Sequence, residues 1–417
     1  MANTPGQTIT AKTAIVIGAG IAGCSSAFAL AQRGIQVTLI ERHDAVANEA
    51  SGNPQAMLYP RLSGDDSASQ FALAGYLYSL DLITQLPLAS ADFQVCGMLQ
   101  LGFNSRELAR LKKLLTWAEA APHVQWLTQQ EASQKAGLSL LHPAVHFPNA
   151  AWVNPKALCH HLIAHQNIRL ITSTNVTKVL KKNGLYQVYA GDRLLEESPI
   201  VILANANQAQ ELGLVLHLKT QAVRGQLSLV NASPLSARLQ SILCSDGYLS
   251  PASDGQHCLG ASFSTDPSTA IDELDHLANL NKLNSYADSL FDSLKHNIQG
   301  GRVSFRCTSA DYFPLLGELL DHQAVSAQPP RPNAQPSSLA WSHGLYVNLA
   351  HGSRGFSSAP YCSDILARLI CGESPPISSA MLSLLNPNRF LLRKLGLKKL
   401  ARGLPAVATG GTPTTLS

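Results

Sequence analysis

Short apolar runs separated by polar turns dominate the chain, and their periods predict the order of its elements. Residues 13–18 predict a buried strand, residues 21–33 a helix rich in small side chains, and residues 36–40 a second strand. Gly34 stands just past the helix, where a terminating glycine is common. A strand, a helix and a second strand in this order predict a βαβ unit with parallel strands.

Beyond this unit the apolar periods alternate between helical and strand type. They predict helices at residues 67–86, 105–120, 154–165, 271–294 and 358–371. They predict strands at residues 168–171, 199–204, 222–230, 241–262 and 345–349. Because many of these strands follow one another through short polar turns, they predict a mostly antiparallel sheet. The chain therefore predicts an α/β fold at its N-terminus and an α+β fold overall.

The composition of the 417-residue chain excludes several classes of protein. Apolar residues make up 45% and charged residues 14%, which argues against disorder and favours a large core in two or three domains. No apolar run reaches the ~18 residues of a transmembrane helix, and the N-terminus lacks the pattern of a secretory signal. The eight cysteines are scattered without a CxxC pair, so we expect reduced thiols and a cytoplasmic location.

The histidines do not indicate a metal site. His161 and His165 would share one face of the predicted helix at 154–165. Neither an HExxH pattern nor a nearby cysteine pair accompanies them. We therefore predict that the protein binds no metal.

The net charge of +4 is unevenly distributed along the chain. Six cations without an intervening acid lie near the C-terminus: Arg389, Arg393, Lys394, Lys398, Lys399 and Arg402. Leucines and Phe390 alternate with these cations, which is typical of an amphipathic helix. Three interpretations remain open: a helix docked on the body of the protein, a helix on a membrane surface, and a patch that contacts nucleic-acid phosphates.

Gly18, Gly20 and Gly23 form a GxGxxG motif between the first strand and the first helix. The dinucleotide-binding motif requires this context, because its glycines allow a tight turn, a close approach to a diphosphate and close helix–strand packing. Glu41 ends the second strand, where a carboxylate accepts hydrogen bonds from ribose hydroxyls. The alternative is a tight turn with a surface glutamate.

Three later segments favour FAD over NAD as the dinucleotide. Ala50, Ser51 and Gly52 would place small residues near the diphosphate. Ala204 lies where a predicted strand leads into small residues, late in the nucleotide domain. The turn Gly352-Ser353-Arg354-Gly355 precedes a helix whose N-terminus would face the flavin. A nucleotide domain assembled from such distant segments is typical of flavin enzymes.

These motifs resemble those of the D-amino-acid-oxidase/glycine-oxidase superfamily of FAD amine oxidases. Within it, the chain most resembles the FAD-dependent oxidoreductase half of the MnmC family of bifunctional tRNA wobble-uridine enzymes. The resemblance extends from about residue 13 to residue 402 and rests on four segments: Ala50-Ser-Gly-Asn, Asp246-Gly-Tyr-Leu, Gly352-Ser-Arg-Gly and Asn386-Pro-Asn-Arg. It implies a Rossmann-like FAD-binding domain with a discontinuous substrate domain built on a mostly antiparallel sheet. It also adds Arg42 and Val176 to the expected FAD-binding residues.

The resemblance implies a reaction. The family's oxidase half acts on 5-carboxymethylaminomethyl-(2-thio)uridine at the tRNA wobble position and leaves 5-aminomethyl-(2-thio)uridine with release of glyoxylate. The reacting unit is an N-substituted glycine. Only about a dozen residues precede the first predicted strand. We therefore expect this chain to carry the oxidase activity alone, with tRNA as partner and a separate methyltransferase acting on the product.

The resemblance also implies catalytic residues. Arg306 would bind the substrate carboxylate, although a structural ion pair with Asp311 is the alternative. Arg354 would contact the carboxylate or the reduced flavin, or else only backbone carbonyls of its turn. Tyr248 would close over the substrate, or else belong to the core. Arg224 would approach the flavin or support the sheet.

We divide the chain accordingly. The FAD-binding domain takes residues 1–90, 151–215 and 305–375, the substrate domain takes residues 91–150 and 216–304, and residues 376–417 form a basic tail. Two competing functions remain open: a free amino acid oxidase for glycine, sarcosine or a D-amino acid, and an RNA-binding module with FAD but no turnover. The basic tail favours the tRNA oxidase, because a free amino acid needs no such surface.

Overall fold

The computed structural model describes residues 12–408, which divide into two compact units. The first unit comprises residues 12–51, 159–222 and 306–408, and the second comprises residues 52–158 and 223–305. The boundaries at 222 and 305 fall inside two long strands. Both units are therefore built from separate pieces of the chain.

The described residues form twenty strands and twelve α-helices. The strands are β1 Thr13–Ile17, β2 Gln36–Ile40, β3 Ala56–Leu58, β4 Phe93–Val95, β5 Met98–Leu101, β6 Gln125–Leu127, β7 Ala144–Phe147, β8 Ala151–Val153, β9 Ile168–Ile171, β10 Lys178–Lys182, β11 Leu185–Ala190, β12 Arg193–Ser198, β13 Val201–Leu203, β14 Thr220–Asn231, β15 Ile242–Cys244, β16 Tyr248–Leu249, β17 Gln256–Gly260, β18 Ile298–Ser309, β19 Leu315–Leu320 and β20 Trp341–Leu349. The helices are α1 Ile21–Ala31, α2 Ser67–Thr84, α3 Ser105–Leu114, α4 Gln129–Ala136, α5 Pro155–Ile163, α6 Glu273–Asn281, α7 Leu290–Leu294, α8 His322–Ala327, α9 Gly355–Ile370, α10 Ser379–Leu385, α11 Arg389–Lys394 and α12 Lys398–Gly403.

The first unit is organised around a six-stranded sheet of order β19-β20-β13-β1-β2-β9. The β1–β2, β1–β13, β2–β9 and β13–β20 pairs are parallel, and β19 is antiparallel to β20. Four of the five residues of β1 and of β2 are buried, as expected for strands covered on both faces. The carboxyl end of the central strand β1 therefore opens directly into the glycine turn at residues 18–20.

A second sheet of this unit, β10-β11-β12, is a short antiparallel meander. Asn183 and Gly184 join β10 to β11, with φ angles of 50° and 79°. Positive φ at both central residues suits the right-handed twist of a tight hairpin, which explains the asparagine and the glycine. Tyr186 and Val188 of β11 bury their side chains in the same core as Ile15 and Val201.

The C-terminal helices α11 and α12 pack their apolar side against the first unit. Their buried residues share one cluster with Leu320, Val325 and Trp341: Leu391, Leu392, Leu397, Leu400 and Ala401. The amphipathic pattern seen in the sequence therefore corresponds to a helix pair docked on the body of the protein. Because its apolar side is already buried, the membrane-surface interpretation of this segment is wrong for this fold.

The second unit contains most of an eight-stranded sheet of order β18-β14-β17-β16-β15-β5-β7-β6. Strand β5 pairs in parallel with β15, whereas the β14–β17, β15–β16, β16–β17, β5–β7 and β6–β7 pairs are antiparallel. A smaller sheet, β3-β8-β4, is antiparallel. The core of this unit joins Leu99, Leu243 and Leu259 of the sheet to Leu280 and Leu290 of α6 and α7.

These elements confirm the predicted fold class, a Rossmann-like parallel sheet with a discontinuous and mostly antiparallel partner. Three predicted helices differ from the structure by more than two residues. Helix α3 ends at Leu114 and not at residue 120. The helix predicted at 271–294 is broken into α6, a 3₁₀ turn at Lys282–Ser285, and α7. Helix α9 begins three residues earlier than predicted, so Pro360 lies inside it rather than near its start.

The compact units do not follow the predicted segment boundaries. Residues 52–90 group with the second unit, in which β3 pairs with β8, and residues 376–408 group with the first, against which α11 and α12 pack. Residues 1–11 and 409–417, the ends of the first and last predicted segments, lie outside the described residues. The division into cofactor and substrate segments stays a prediction.

In the stretch from residue 12 to residue 408, none of the helices has the length and apolarity needed to cross a bilayer.

Candidate functional site

The turn between β1 and α1 has room for glycine only at two of its motif positions. Gly18 has a φ of +98°, and a Cβ there would lie 2.7 Å from the Cα of Asn205. A Cβ on Gly23 would lie 1.7 Å from the carbonyl oxygen of Gly18. Both neighbours are backbone and cannot move aside, so the turn and the first helical turn interlock.

The remaining motif glycine, Gly20, directly precedes α1 and has no side chain that could cap the helix. Ser51 supplies the missing acceptor, because its Oγ receives the Ile21 backbone N–H at 3.0 Å. A Cβ on Gly20 would lie 3.1 Å from this Oγ. The predicted segment Ala50-Ser51-Gly52 is thus linked to the glycine turn through its central residue, and Ala50 and Gly52 flank that residue in sequence.

Glu41 lies directly beyond β2 and is 7% exposed. Its Oε2 accepts the Ala19 backbone N–H at 2.7 Å, and its Oε1 accepts the His43 backbone N–H at 3.0 Å. Each oxygen keeps a further lone pair, so the carboxylate is fixed beside the turn and can accept ribose hydroxyls as well. It is not the free surface glutamate of the alternative interpretation.

Two further predicted cofactor residues lie near Glu41 in the first unit. The guanidinium of Arg42 forms an ion pair with Glu49 on the surface. Val176 is half-buried and packs against the core cluster that contains Ile40. The segment just before Val176 is tied to the end of β2, since the Thr174 N–H donates to the Glu41 carbonyl at 2.9 Å.

The end of β13 forms the other wall of the glycine turn. The Ala204 N–H donates to the Ile17 carbonyl at 2.9 Å, and the Ala204 carbonyl oxygen would lie 2.9 Å from a Cβ on Gly18. Within residues 12–408, the buried Oδ1 of Asn205 has no hydrogen-bond partner. A buried polar atom without a partner is costly, which suits a position that contacts a polar ligand. Sequence analysis selected Ala204 but missed Asn205, whose only signal is its place after a buried strand.

These contacts test whether a dinucleotide fits the first unit. The backbone around Gly18 and Gly23 leaves no space for side chains, the Glu41 carboxylate is anchored, and the Asn205 amide oxygen lacks a partner. A diphosphate at the start of α1 and a ribose beside Glu41 would use these groups. The residues present therefore fit the adenosine diphosphate part of a dinucleotide.

A second glycine turn, between β20 and α9, lies against the same helix. Gly352 has a φ of +60°, and a Cβ on Gly355 would lie 3.3 Å from the Ile21 Cγ2. Arg354 immediately precedes α9, where its carbonyl accepts the Ser358 hydroxyl at 3.0 Å. Ser353 is exposed and Arg354 is half-buried. The structure thus brings the start of α9 next to the start of α1.

A buried polar network fixes these two helices to β20. Asn348 Nδ2 donates to Ser26 Oγ of α1 at 3.0 Å and to Ser363 Oγ of α9 at 2.9 Å. His351 Nε2 lies 2.9 Å from the Asn348 Oδ1, and its Nδ1 lies 3.0 Å from the Ser358 Oγ. Burial lowers the pKa of His351 to about 4, so the ring is neutral at physiological pH. Sequence analysis missed this network, because its members are far apart in the chain.

Arg306 lies near the end of β18 and is half-buried. The sequence offered Asp311 as its alternative partner. The structure gives Asp311 another bidentate arginine, because Arg389 donates from Nε to Oδ2 at 2.9 Å and from Nη2 to Oδ1 at 2.6 Å. A role for Arg306 in holding a substrate carboxylate therefore does not compete with the anchoring of Asp311.

The thiol beside Arg306 is not prepared for covalent chemistry. Cys307 is 5% exposed, and burial raises its pKa to about 12. A protonated thiol is a poor nucleophile, so a cysteine link to a cofactor is not favoured here. Over the described range 12–408, no group of three or more histidine, cysteine, aspartate or glutamate side chains is placed to hold a metal ion.

Two other predicted residues lie in the second unit. Tyr248 is half-buried, and its ring lies over Gly260 of the paired strand, where a Cβ would come within 3.2 Å of three ring and hydroxyl atoms. Arg224 is 3% exposed and forms an ion pair with Asp275. Its guanidinium also donates to the Ser268 and Ala270 carbonyls at 2.9 and 2.7 Å. Arg224 thus supports the segment that leads into α6.

The basic segment at the C-terminus presents most of its cations to solvent. Five of the six are exposed on α11 or α12, and we call them the basic face: Arg393, Lys394, Lys398, Lys399 and Arg402. Arg389, which the sequence analysis placed among these cations, is 0% exposed and forms an ion pair with Asp311. Its assignment to a phosphate-binding surface is therefore wrong, because a buried and paired guanidinium cannot reach a phosphate.

Comparisons with known proteins place the chain among flavoproteins. The sequence family described as FAD dependent oxidoreductase matches residues 13–369. The tRNA 5-methylaminomethyl-2-thiouridine biosynthesis bifunctional protein MnmC of Methylobacillus flagellatus is 45% identical over 397 residues, which cover 94% of this chain and 61% of that protein. The chain therefore spans about three fifths of the length of the curated relatives that it matches.

Two solved structures have the same fold at low sequence identity. Glycine oxidase from Geobacillus kaustophilus superimposes with a TM-score of 0.72 at 19% identity, over 91% of this chain and 99% of that one. L-alpha-glycerophosphate oxidase from Mycoplasma pneumoniae, solved with FAD bound, gives a TM-score of 0.70 at 18% identity, over 87% of this chain and 98% of that one. At these identities the likeness shows the fold alone.

Proposed function

Because the chain belongs to the FAD dependent oxidoreductase family, we propose that it oxidises the N-substituted glycine unit of 5-carboxymethylaminomethyl-(2-thio)uridine at the tRNA wobble position. The –CH2–NH–CH2–COO⁻ unit loses two electrons and two protons to give an imine. Water then cleaves the imine to glyoxylate and the primary amine, 5-aminomethyl-(2-thio)uridine. FAD, the cofactor of this family, supplies the two-electron oxidant when it is bound.

The first unit supplies the groups that would hold the cofactor. Gly18, Gly20 and Gly23 with the start of α1 would receive the diphosphate, and Glu41 would bind the ribose hydroxyls. Ser51 keeps the Ile21 end of the helix in place. The turn Gly352-Ser353-Arg354-Gly355, packed beside α1, would border the flavin portion. The polar network around Asn348 joins both helices to β20.

Three side chains are proposed to act on the substrate. Arg306 would bind the glycine carboxylate, since a guanidinium stays charged and pairs bidentately with a carboxylate. Arg354 would contact the same carboxylate or the reduced cofactor, and Tyr248 would hydrogen-bond the bound substrate through its hydroxyl. The main role proposed for these residues is to orient the substrate, because correct placement of the reacting C–H bond accounts for much of the rate acceleration.

The observation that carries the choice of tRNA is the basic face. Five exposed cations lie on helices whose apolar side is fully engaged with the first unit. A free amino acid needs no such surface, whereas RNA phosphates are bound by clusters of exposed lysine and arginine. The relatives named for tRNA 5-methylaminomethyl-2-thiouridine biosynthesis support the same choice. Because those proteins are named bifunctional, a methyltransferase that acts on the product is proposed as a further partner.

Anaerobic mixing of the FAD-loaded protein with modified tRNA tests this proposal. The flavin absorbance is followed after addition of tRNA that carries 5-carboxymethylaminomethyluridine, with unmodified tRNA, glycine and sarcosine in parallel. We expect the flavin absorbance to bleach with the modified tRNA only, and one glyoxylate to be released for each flavin that is reduced. Bleaching by glycine or sarcosine, with the modified tRNA inert, would make the protein a free amino acid oxidase. Binding of tRNA without any bleaching would make it an RNA-binding flavoprotein without turnover.

A further inference from the structure

Tyr312 combines two unfavourable features at one position. It is 67% exposed, and its backbone has a φ of 62°, in the left-handed region that bulky side chains avoid. Of the non-glycine residues with positive φ in the described 12–408 stretch, Tyr312 is the only aromatic one. Glycine or asparagine would suit the turn better, and a polar side chain would suit the surface better. A strained residue with an exposed ring indicates a function for the ring.

The turn around Tyr312 is held rigidly from both sides. Ser309 Oγ donates to the Phe313 carbonyl at 2.6 Å, and the Tyr312 N–H donates to the Ser309 carbonyl at 3.2 Å. Asp311, next to the tyrosine, receives the bidentate fork of Arg389, and Arg389 Nη2 also donates to the Phe313 carbonyl at 3.1 Å. The buried arginine thus fixes the residues on either side of Tyr312. Because the loop is already ordered, binding through the ring costs little conformational entropy of the loop.

The turn that carries this ring adjoins the basic face. Arg393 Nη1, the first cation of that surface, lies 3.6 Å from Asp311 Oδ2. The neighbour of Tyr312 is therefore in contact with the group that begins the row of exposed cations. Cations that track a phosphate backbone, together with an aromatic ring beside them, are the two parts of a surface that binds unpaired nucleotides.

We propose that Tyr312 stacks on an unpaired base of the tRNA whose phosphates contact the basic face. The inference rests on the proposed function, since it takes the substrate to be RNA with bases outside a helix. Such bases are common in tRNA loops, and proteins recognise them by stacking on aromatic side chains. The proposal assigns the ring a positioning role in RNA binding and no contact with the reacting atoms.

Three variants of Tyr312 in the FAD-loaded full chain test the proposal, with the Kd for modified tRNA as the readout. Tyr312→Gly removes the ring and suits the positive φ, so its melting temperature should not fall below that of the wild type. Its Kd should rise roughly five- to 150-fold, the range that loss of one base–aromatic stack produces. Tyr312→Phe and Tyr312→Trp keep a stacking surface and should bind within about twofold of the wild type. Leu180→Ala removes an exposed apolar side chain from β10 and should leave the Kd unchanged.

Three outcomes would overturn the proposal. An unchanged Kd in Tyr312→Gly means that the ring does not contact RNA. Equal weakening in Tyr312→Phe and Tyr312→Gly means that the hydroxyl, not the ring, makes the contact. A melting temperature several degrees lower in Tyr312→Gly means that the ring has a structural role. The proposed function is judged separately, by whether the wild type oxidises the modified tRNA.

The salt dependence of binding distinguishes stacking from charge. A stacking contact releases no counterions, so Tyr312→Gly should shift log Kd by the same amount at every salt concentration. A changed slope would mean that Tyr312 acts by placing Arg393, and it would also contradict the proposal. If the wild type does not bind tRNA at all, both the stacking role and the tRNA substrate are wrong.

Discussion

Arg389 and Asp311 form a bidentate ion pair, with N···O distances of 2.6 and 2.9 Å, between residues 78 positions apart in the chain. Arg389 is fully buried, and its Nη1 also donates to the carbonyls of Leu385, Asn386 and Pro314. One guanidinium thereby ties α11 to the turn that follows β18, the strand that carries Arg306. The position of the basic face therefore depends on a charge that is not itself part of it.

Loss of Arg389 should destabilise the protein strongly. Arg389→Met leaves Asp311 and several carbonyls without their donor, and the broken buried pair should lower the free energy of unfolding by about 3 kcal/mol. Arg393→Met is the matched control, because that side chain is 42% exposed and lies 3.6 Å from the same carboxylate. It should lower the free energy of unfolding by less than about 1 kcal/mol. Urea denaturation of both variants measures the difference, and equal losses would contradict the structural role of Arg389.

The same pair should make stability depend on pH in the acid range. Burial alone raises the pKa of Asp311, but the hydrogen bonds and charge of Arg389 outweigh it and hold the pKa below its ordinary value. A carboxyl with a lowered pKa stabilises the fold above its unfolded pKa of about 3.9, and this stabilisation is lost as pH falls through the folded value.

Asp311→Asn isolates this contribution. The wild type should exceed the variant in free energy of unfolding by a constant amount between pH 7 and about pH 5. Below about pH 4 the difference should shrink, because the Asp311 carboxyl of the unfolded wild-type chain binds a proton before that of the folded protein does. Urea denaturation at several pH values measures the difference. If it were as large at pH 3 as at pH 6.5, the lowered pKa of Asp311 would be wrong.

The cofactor turn could be predicted from the sequence because its determinants are local. Gly18, Gly20, Gly23 and Glu41 lie within one βαβ unit, whose apolar period and glycine spacing set both the turn and the end of β2. Polar contacts between distant segments leave no such pattern. The Asn348–Ser26 hydrogen bond joins residues 322 positions apart, and neither side chain differs in sequence context from an ordinary polar residue.

Arg389 illustrates the same limit for charge. Its neighbours in sequence are the cations of the basic face, so the composition and spacing of this segment predict that Arg389 is exposed to solvent. Its burial is decided by Asp311, which the turn between β18 and β19 places beside it. A run of like charges therefore predicts exposure correctly for most of its residues. The prediction fails for a residue that forms a buried ion pair with an acid from a distant part of the chain.

Gly20, just before α1, and Gly23, in its first turn, should tolerate a methyl group very differently. In Gly23→Ala the Cβ would lie 1.7 Å from the Gly18 carbonyl oxygen, so backbone must shift. We expect a loss of stability of about 3 kcal/mol or more and protein purified without FAD. In Gly20→Ala the Cβ would lie 3.1 Å from the Ser51 Oγ, a side-chain atom that can rotate away. That variant should stay folded, and its free energy of unfolding should fall far less than that of Gly23→Ala. Because Gly20 is proposed to receive the diphosphate, the added methyl group should weaken FAD binding, as measured by the ratio of flavin to protein absorbance. Equal losses of stability in both variants would contradict this account of the turn.

Arg306 should matter for turnover and not for the cofactor. Arg306→Ala should keep its FAD and its melting temperature but lower kcat/KM for the modified tRNA roughly 100-fold or more, since a carboxylate left without its guanidinium costs several kcal/mol. Arg306→Lys should recover only part of the loss, because an ammonium cannot pair bidentately. Arg193→Ala, on the exposed part of β12, serves as the control and should behave as the wild type. Unchanged kcat/KM in Arg306→Ala would assign the carboxylate to another residue.

The basic face should determine how strongly salt weakens tRNA binding. Lys398 and Lys399 begin α12 and are both exposed, so each is available to a phosphate. Reversing both charges should weaken binding at low salt and flatten the plot of log Kd against log salt concentration, because fewer counterions are released. For two lost phosphate contacts the slope should fall by about 1.4 to 1.8. The same double reversal at Lys112 and Lys113, an exposed pair on α3, should change the slope much less. A slope that falls equally in both double variants would mean that net charge, and not the basic face, governs the interaction with tRNA.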